Sequence, residues 1–176
     1  MSTFDRIKAD LWDQFGSAID MLGNAIEACP DSLWADTKRN PQFWYLAFHT
    51  LWWLDYYLHE SSDTFRPPAP YTLDELDPAD VRPERPYTKD ELRTYLAHGR
   101  AKARTAIAVL TEEAAMRTHK FGKRQHSVLN LHLYNARHVQ HHAAQLNLIL
   151  RQATNSAPRW VSHVGAPLDT PAKEPA

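Results

Sequence analysis

Two histidines, His138 and His142, stand four residues apart in the run RHVQHHAAQLNLILRQ. In a helix, positions i and i+4 share one face, so this segment can present both imidazoles to a single point. Two imidazoles make an incomplete metal site, and a third ligand has to come from another buried helix. His49, inside the apolar run FWYLAFHTLWWLDYYL, is the candidate. At about 100° per residue, His138 shares a stripe with Tyr134, His142, Gln145 and Ile149, while His49 shares one with Tyr45, Trp53 and Tyr56. Both stripes are expected to turn inward, with aromatic rings walling the histidines and excluding water. Low dielectric disfavours imidazolium, leaves lone pairs free for a cation, and gives that cation nitrogens that would otherwise lie buried and unpaired. Without a cation, the three would be ordinary hydrogen-bonded histidines.

Other constellations point less clearly to chemistry. Val139 follows His138 where a zincin-type HExxH motif places its glutamate, which argues against a metalloprotease. His141 is rotated by about 100° from His142, toward the solvated flank of its helix. His59, His98, His119, His126, His132 and His163 lack partner spacing and are read as surface groups, with His126 and His132 the foremost exceptions. Asp74, Glu75, Asp77 and Asp80 form an acidic loop, read as a solvated turn. The six tryptophans suit a core or a subunit interface better than a cofactor box. Tyr56, Tyr134 and Gln145 could orient a substrate or fill the bundle. With no glycine-rich phosphate loop, no nucleophile elbow and no base near Cys29, no catalytic residue is assigned.

The elements that must position these residues are helical. Phe4, Ile7, Leu11, Phe15, Ala18, Leu22 and Ile26 recur at helical steps after a cap near Ser2 or Thr3, and Pro30 and Asp31 stop that first helix. Asn40 and Pro41 have the form of an N-cap and first helical residue, opening a second helix to about Glu60. Residues 61–88 carry six of the 12 prolines and read as an irregular crossover with one short turn near Thr72–Leu76. Thr88 and Glu91 match a capping box for a third helix reaching Leu110. A break around HKFGKRQ, with Gly122, precedes the fourth, from about Ser127 to Gln152. With no strand pattern, the expected fold is all-α, a four-helix bundle with a long crossover between helices two and three. Its domain covers residues 1–155, followed by a C-terminal arm, 156–176, ending in a disordered tip.

Composition narrows the setting. A net charge of −1 leaves no basic footprint for nucleic acid or an anionic membrane surface. The N-terminus lacks the apolar stretch of a signal peptide, and Cys29, the only cysteine, fits a reducing compartment, so a cytoplasmic location is expected. Phe43–Leu58 falls short of the roughly 20 residues needed to span a bilayer. Because the second helix is apolar nearly all round, it is expected to bury a flank against a second copy in a homodimer.

PQFWYLAFHTLWWLDYYL on helix two and RHVQHHAAQLNLIL on helix four, in a bundle of this length and order, resemble the DinB-like (YfiT-like) superfamily of metal-dependent proteins over roughly residues 3–152. The resemblance implies a divalent metal, zinc, nickel, iron or manganese, on His49, His138 and His142. Related thiol-dependent transferases and isomerases imply that the metal activates a low-molecular-weight thiol against a small electrophilic substrate, with metal-assisted hydrolysis the sister chemistry. A non-catalytic dimeric bundle with a structural or sensory metal is the rival expectation. Members often carry Arg-Gly between the last ligand and Gln, where this chain has Ala143 and Ala144.

Overall fold

The Ser2 hydroxyl accepts the Asp5 N–H at 3.0 Å while the Asp5 carboxylate takes the Ser2 N–H at 3.0 Å, a reciprocal cap that opens α1 (Thr3–Ala28). The computed structural model describes residues 2–79, 81–121 and 124–168. After Pro30 comes a single turn, α2 (Asp31–Trp34), in the stretch read as irregular. The next helix, α3 (Phe43–Tyr57), starts later than the asparagine–proline pair suggested: Gln42 is its N-cap, and the Asn40–Pro41 peptide bond is cis. The Asn40 side-chain oxygen instead accepts from Arg82 Nη2, from the crossover, at 3.1 Å.

The crossover contains one 3₁₀ turn, Asp74–Leu76, and then meets the Thr88–Glu91 capping box of α4 (Lys89–Ala108). The region expected to be a simple break instead forms α5 (Glu112–Met116) and a hairpin of β1 (Thr118–Phe121) with β2 (Arg124–Ser127), in which His119 pairs with His126. Four-residue strands are too short for alternation to register in a sequence. Gly122 lies outside the described residues. Ser127 caps α6 (Val128–Thr154), which ends at Asn155 in the left-handed conformation, φ 56°.

The four long helices form a ring in which α1 packs on α4 and α6, and α3 packs on α4 and α6. Trp12, Phe15, Ile19 and Leu22 from α1 meet Phe48, Leu51 and Leu54 from α3, Tyr95 and Ile107 from α4, and Val139, Ala143 and Leu146 from α6 in one buried core. The all-α bundle with a long second crossover is therefore what the chain forms. A core of this many large apolar side chains is of the size that holds a chain of this length together.

The all-round apolarity of α3 is covered within the chain itself. Phe65, Tyr71 and Tyr87 from the crossover pack on its outer side, with Phe48 and Tyr87 centroids 4.8 Å apart and Trp52 and Phe65 5.1 Å apart. Hence a second subunit is not required by that surface. Asp55, 1% exposed at its side chain, accepts from Lys102 Nζ at 2.5 Å and the Tyr95 hydroxyl at 3.1 Å, pinning α3 to α4. Asn135 of α6 donates to the Leu54 carbonyl at 3.0 Å, tying α6 to the same turn.

The start of the C-terminal arm is docked on α1. Trp12 donates its indole N–H to the Ala166 carbonyl at 2.8 Å, and Asp13 accepts the Val164 N–H at 2.9 Å. A Cβ on Gly16 would strike the Val164 side chain, so glycine is what lets the arm lie this close. Residues 169–176, where a disordered tip is expected, lie outside the described residues. No described helix is long and apolar enough to cross a membrane.

Candidate metal centre

His49 projects from the middle of α3, and His138 and His142 from successive turns of α6. The ring centroids of His138 and His142 are 4.5 Å apart, those of His49 and His142 4.9 Å, and those of His49 and His138 5.5 Å. One nitrogen from each ring lies within 4.8 Å of the others, the one such cluster among the described residues. Any triangle of that size has a point within about 2.8 Å of all three corners, close to bonds of about 2.0–2.1 Å.

The trio is not on the bundle axis, as inward-turning stripes would have placed it. Leu51 and Leu54 of α3, with Val139, Ala143 and Leu146 of α6, fill the interior. The histidines lie one helical step round, in the groove where α3 meets α6, and are half-buried. Aromatic rings do line that groove. Tyr45 and Trp53 stand 6.5 and 6.2 Å from His49, and Tyr57 stands 6.0 Å from His138, edge on. Tyr56, grouped with this wall from spacing, packs instead at 5.0 Å from Trp52 and 5.1 Å from Phe65, so Tyr57 takes the place beside His138.

Two hydrogen bonds fix which nitrogens are free. A carboxylate carries no proton to give, so in the 2.7 Å contact between His49 Nδ1 and Glu75 Oε2 the imidazole donates. By the same logic His142 Nδ1 donates to the Gln145 carbonyl oxygen at 2.7 Å. A neutral ring held this way through Nδ1 keeps its lone pair on Nε2. His138 has no such orienting partner, and its Nδ1 is buried without a hydrogen bond. An imidazole with an orphaned buried nitrogen, next to two rings locked with lone pairs free, is the donor set a divalent cation needs.

Burial pushes the His138 ring down to about 3, and the neighbouring histidines push it the same way. His142 falls to about 4, again chiefly through burial, with Gln145 opposing. Both rings are therefore neutral at physiological pH. Their neutrality was expected from the apolar surroundings, and the structure supplies the cause.

Glu75 is the residue that sequence reasoning misjudged. Read as part of a solvated acidic turn, its side chain is only 4% exposed and accepts from His49 and from the Trp53 indole at 2.8 Å. Burial raises its carboxyl, but hydrogen bonds from His49, Tyr45 and Trp53 outweigh that and hold it below the usual range. Spacing gave no hint, because the 3₁₀ turn leaves Leu73 and Leu76 partly exposed and buries the glutamate between them. Asp80 lies outside the described residues. His141, as expected, is exposed on the flank beside His142, and Gln145 proves to be the residue that orients His142.

A cavity of 480 Å³ opens onto His49 and His142 and is bounded by Tyr45, Trp53, Glu75 and Arg82. The Arg82 guanidinium lies over the Tyr45 ring, 4.6 Å from its centroid. Such a volume admits a small molecule, and its position leaves one side of the histidine cluster reachable.

A family model for the DinB superfamily matches residues 9–146. No curated protein and no solved structure matches the chain. The matched span takes in most of α1, all of α3 and α4, and the part of α6 that carries His138, His142 and Gln145, in the order just described. This chain belongs to the DinB superfamily.

Proposed function

We propose that the chain holds one divalent cation on His49, His138 and His142 and works as a metal-dependent enzyme on a small electrophilic substrate, with a low-molecular-weight thiol as nucleophile. The observation that carries this reading is the geometry of the trio: two rings are locked with Nε2 free, and the groove they share opens into a cavity instead of being closed by a fourth protein ligand. Zinc, nickel, iron and manganese all suit three imidazoles, and nitrogen ligation alone does not select among them.

When bound, the ion supplies Lewis acidity that makes a nearby thiol or water more acidic. The chain's own residues do the rest. Glu75 holds the His49 ring in one tautomer and raises its basicity, and Gln145 does the same for His142. Tyr45, Trp53 and Tyr57 keep bulk water off the imidazoles, which strengthens electrostatic interactions there. Arg82, at the cavity wall, is placed to meet an electron-rich group on a substrate.

The test is elemental analysis of protein purified without added metal, followed by thiol-transfer and hydrolysis assays on the metal-loaded chain with a panel of small electrophiles. Stoichiometric metal and metal-dependent turnover are expected. Metal that raises the melting temperature without turnover would favour a structural or sensory ion, and absence of metal uptake would end both readings. As a proposal on assembly, Leu133 and Leu148, each 54% exposed on α6, are the surface that a second copy would cover, and light scattering in solution reads the mass directly.

A further inference from the structure

The cavity over the histidine cluster carries more charge than the cluster uses. Besides Glu75 it is lined by Asp74, Asp77 and Arg82, the one guanidinium in its wall among the described residues. Glu75 is engaged by His49 and Trp53, and Asp77 accepts the Ala79 N–H at 2.8 Å. Arg82 and Asp74 are left over. They make no ion pair with each other or with any other described residue, and the Asp74 carboxylate accepts no hydrogen bond from one. Opposite charges that share a cavity without pairing are free to hold the two ends of a single guest.

Arg82 is held in place without being neutralised. Its guanidinium carbon stands 4.6 Å from the centroid of Tyr45, whose ring stands 6.5 Å from that of His49, so one aromatic ring separates the cluster from the charge. Its Nη2 donates to Asn40 Oδ1 at 3.1 Å. Because arginine only donates, the carboxamide meets it through oxygen, and the Asn40 NH2 is left as a further donor with no partner among the described residues. A guanidinium fork beside an amide NH2 is a donor set that suits a carboxylate.

We infer that the thiol taken by this cavity is a small zwitterion of the amino-acid kind, with its carboxylate on Arg82 and Asn40 and its ammonium on Asp74. The inference rests on the metal-and-thiol reading given above and names the class of thiol that the site admits. Charge favours a zwitterion over an anion. Three carboxylates and one guanidinium give the wall two net negative charges, which one divalent ion offsets. A zwitterion keeps that balance, whereas a phosphate ester would bring two uncompensated charges to a site whose aromatic lining weakens screening. A neutral guest would leave both Arg82 and Asp74 unused.

The test loads the full chain with cobalt(II) and titrates it with cysteine, 3-mercaptopropionate, cysteamine and 2-mercaptoethanol, reading binding from the sulfur-to-cobalt charge-transfer band. These thiols carry both charges, the anion alone, the cation alone and neither. In Arg82→Gln, cysteine and 3-mercaptopropionate should bind roughly tenfold more weakly, the loss of one charge-assisted contact in a partly open site, while the other two keep their affinity. Asp74→Asn should instead weaken cysteine and cysteamine alone, by a similar factor. Comparing each thiol with itself across the variants cancels any chelation of cobalt by its amine or carboxylate. Both side chains lie outside the core, so the variants should fold, and circular dichroism reads this directly. Equal losses for all four thiols, or none, in either folded variant would overturn the inference and leave the thiol reading standing. Absence of the band with every thiol, 2-mercaptoethanol included, would end that reading and the inference with it.

Discussion

Replacing Glu75 with glutamine isolates the contribution of a residue that touches no cation itself. In the wild-type chain its carboxylate accepts from His49 Nδ1 at 2.7 Å, from a position only 4% exposed. Glutamine has nearly the same shape and can still accept that N–H through its carbonyl oxygen. It removes the negative charge that makes the imidazole a stronger donor of its other lone pair. Loss of such an orienting partner costs about 10- to 100-fold in metal affinity. The conserved acceptor in Glu75→Gln places it near the tenfold end, about 1.4 kcal/mol. Glu75→Ala should reach about 100-fold, or 2.7 kcal/mol, because it also leaves His49 and the Trp53 indole without an acceptor. Competition for zinc against a chromophoric chelator at fixed pH reads both values, with circular dichroism confirming unchanged helix content. The order wild type, glutamine, alanine is the signature of the reasoning. Wild-type affinity in Glu75→Ala would show that the carboxylate does not tune His49, and the role assigned to Glu75 would fail.

Three further outcomes follow from the same structure. Ala at His138 or His142 should abolish retained metal while leaving the circular dichroism spectrum intact, since the core is built from Leu51, Val139, Ala143 and Leu146 and not from the trio; full metal occupancy in either variant contradicts the site. Asp55→Ala strips the acceptor from Lys102 and Tyr95 in a buried cluster and should lower urea stability by roughly 3 kcal/mol, whereas a loss below about 1 kcal/mol would mean the cluster is not what joins α3 to α4. His132 is held at about 4 when folded against 6.5 ordinarily, so its neutral form stabilises the fold above pH 6.5 and that contribution is lost as pH falls from 6.5 to about 4. His132→Phe should therefore flatten the acid side of the stability profile by on the order of 3 kcal/mol, measured by urea unfolding at pH 7 and pH 4.5; identical slopes would refute the buried, neutral ring.

Much of the architecture was open to reading from local pattern. The cap near Ser2 or Thr3, the capping box at Thr88 and the three- and four-residue apolar steps gave α1, α4 and α6 nearly to the residue, because these signals act within one turn of helix. The pairing of His138 with His142 is of the same kind. It follows from helical pitch alone, and the addition of His49 needed only an apolar helix with a single histidine.

What neighbours in space decide was hidden. The Arg82 contact that occupies Asn40, the crossover aromatics that cover α3, and the burial of Glu75 beneath His49 all join residues 13 or more positions apart. An acidic residue in a proline-rich loop is cheapest in water, so only the folded chain, which brings two N–H donors to it, makes burial favourable. The choice of Tyr57 over Tyr56 beside His138, and the setting of the trio in the groove and not on the axis, turned on a single helical step of about 100°, finer than periodicity resolves. Periodicity therefore determined the helices and named the three histidines, while tertiary packing determined which nitrogens face the groove, because a ring's orientation depends on partners from distant parts of the chain.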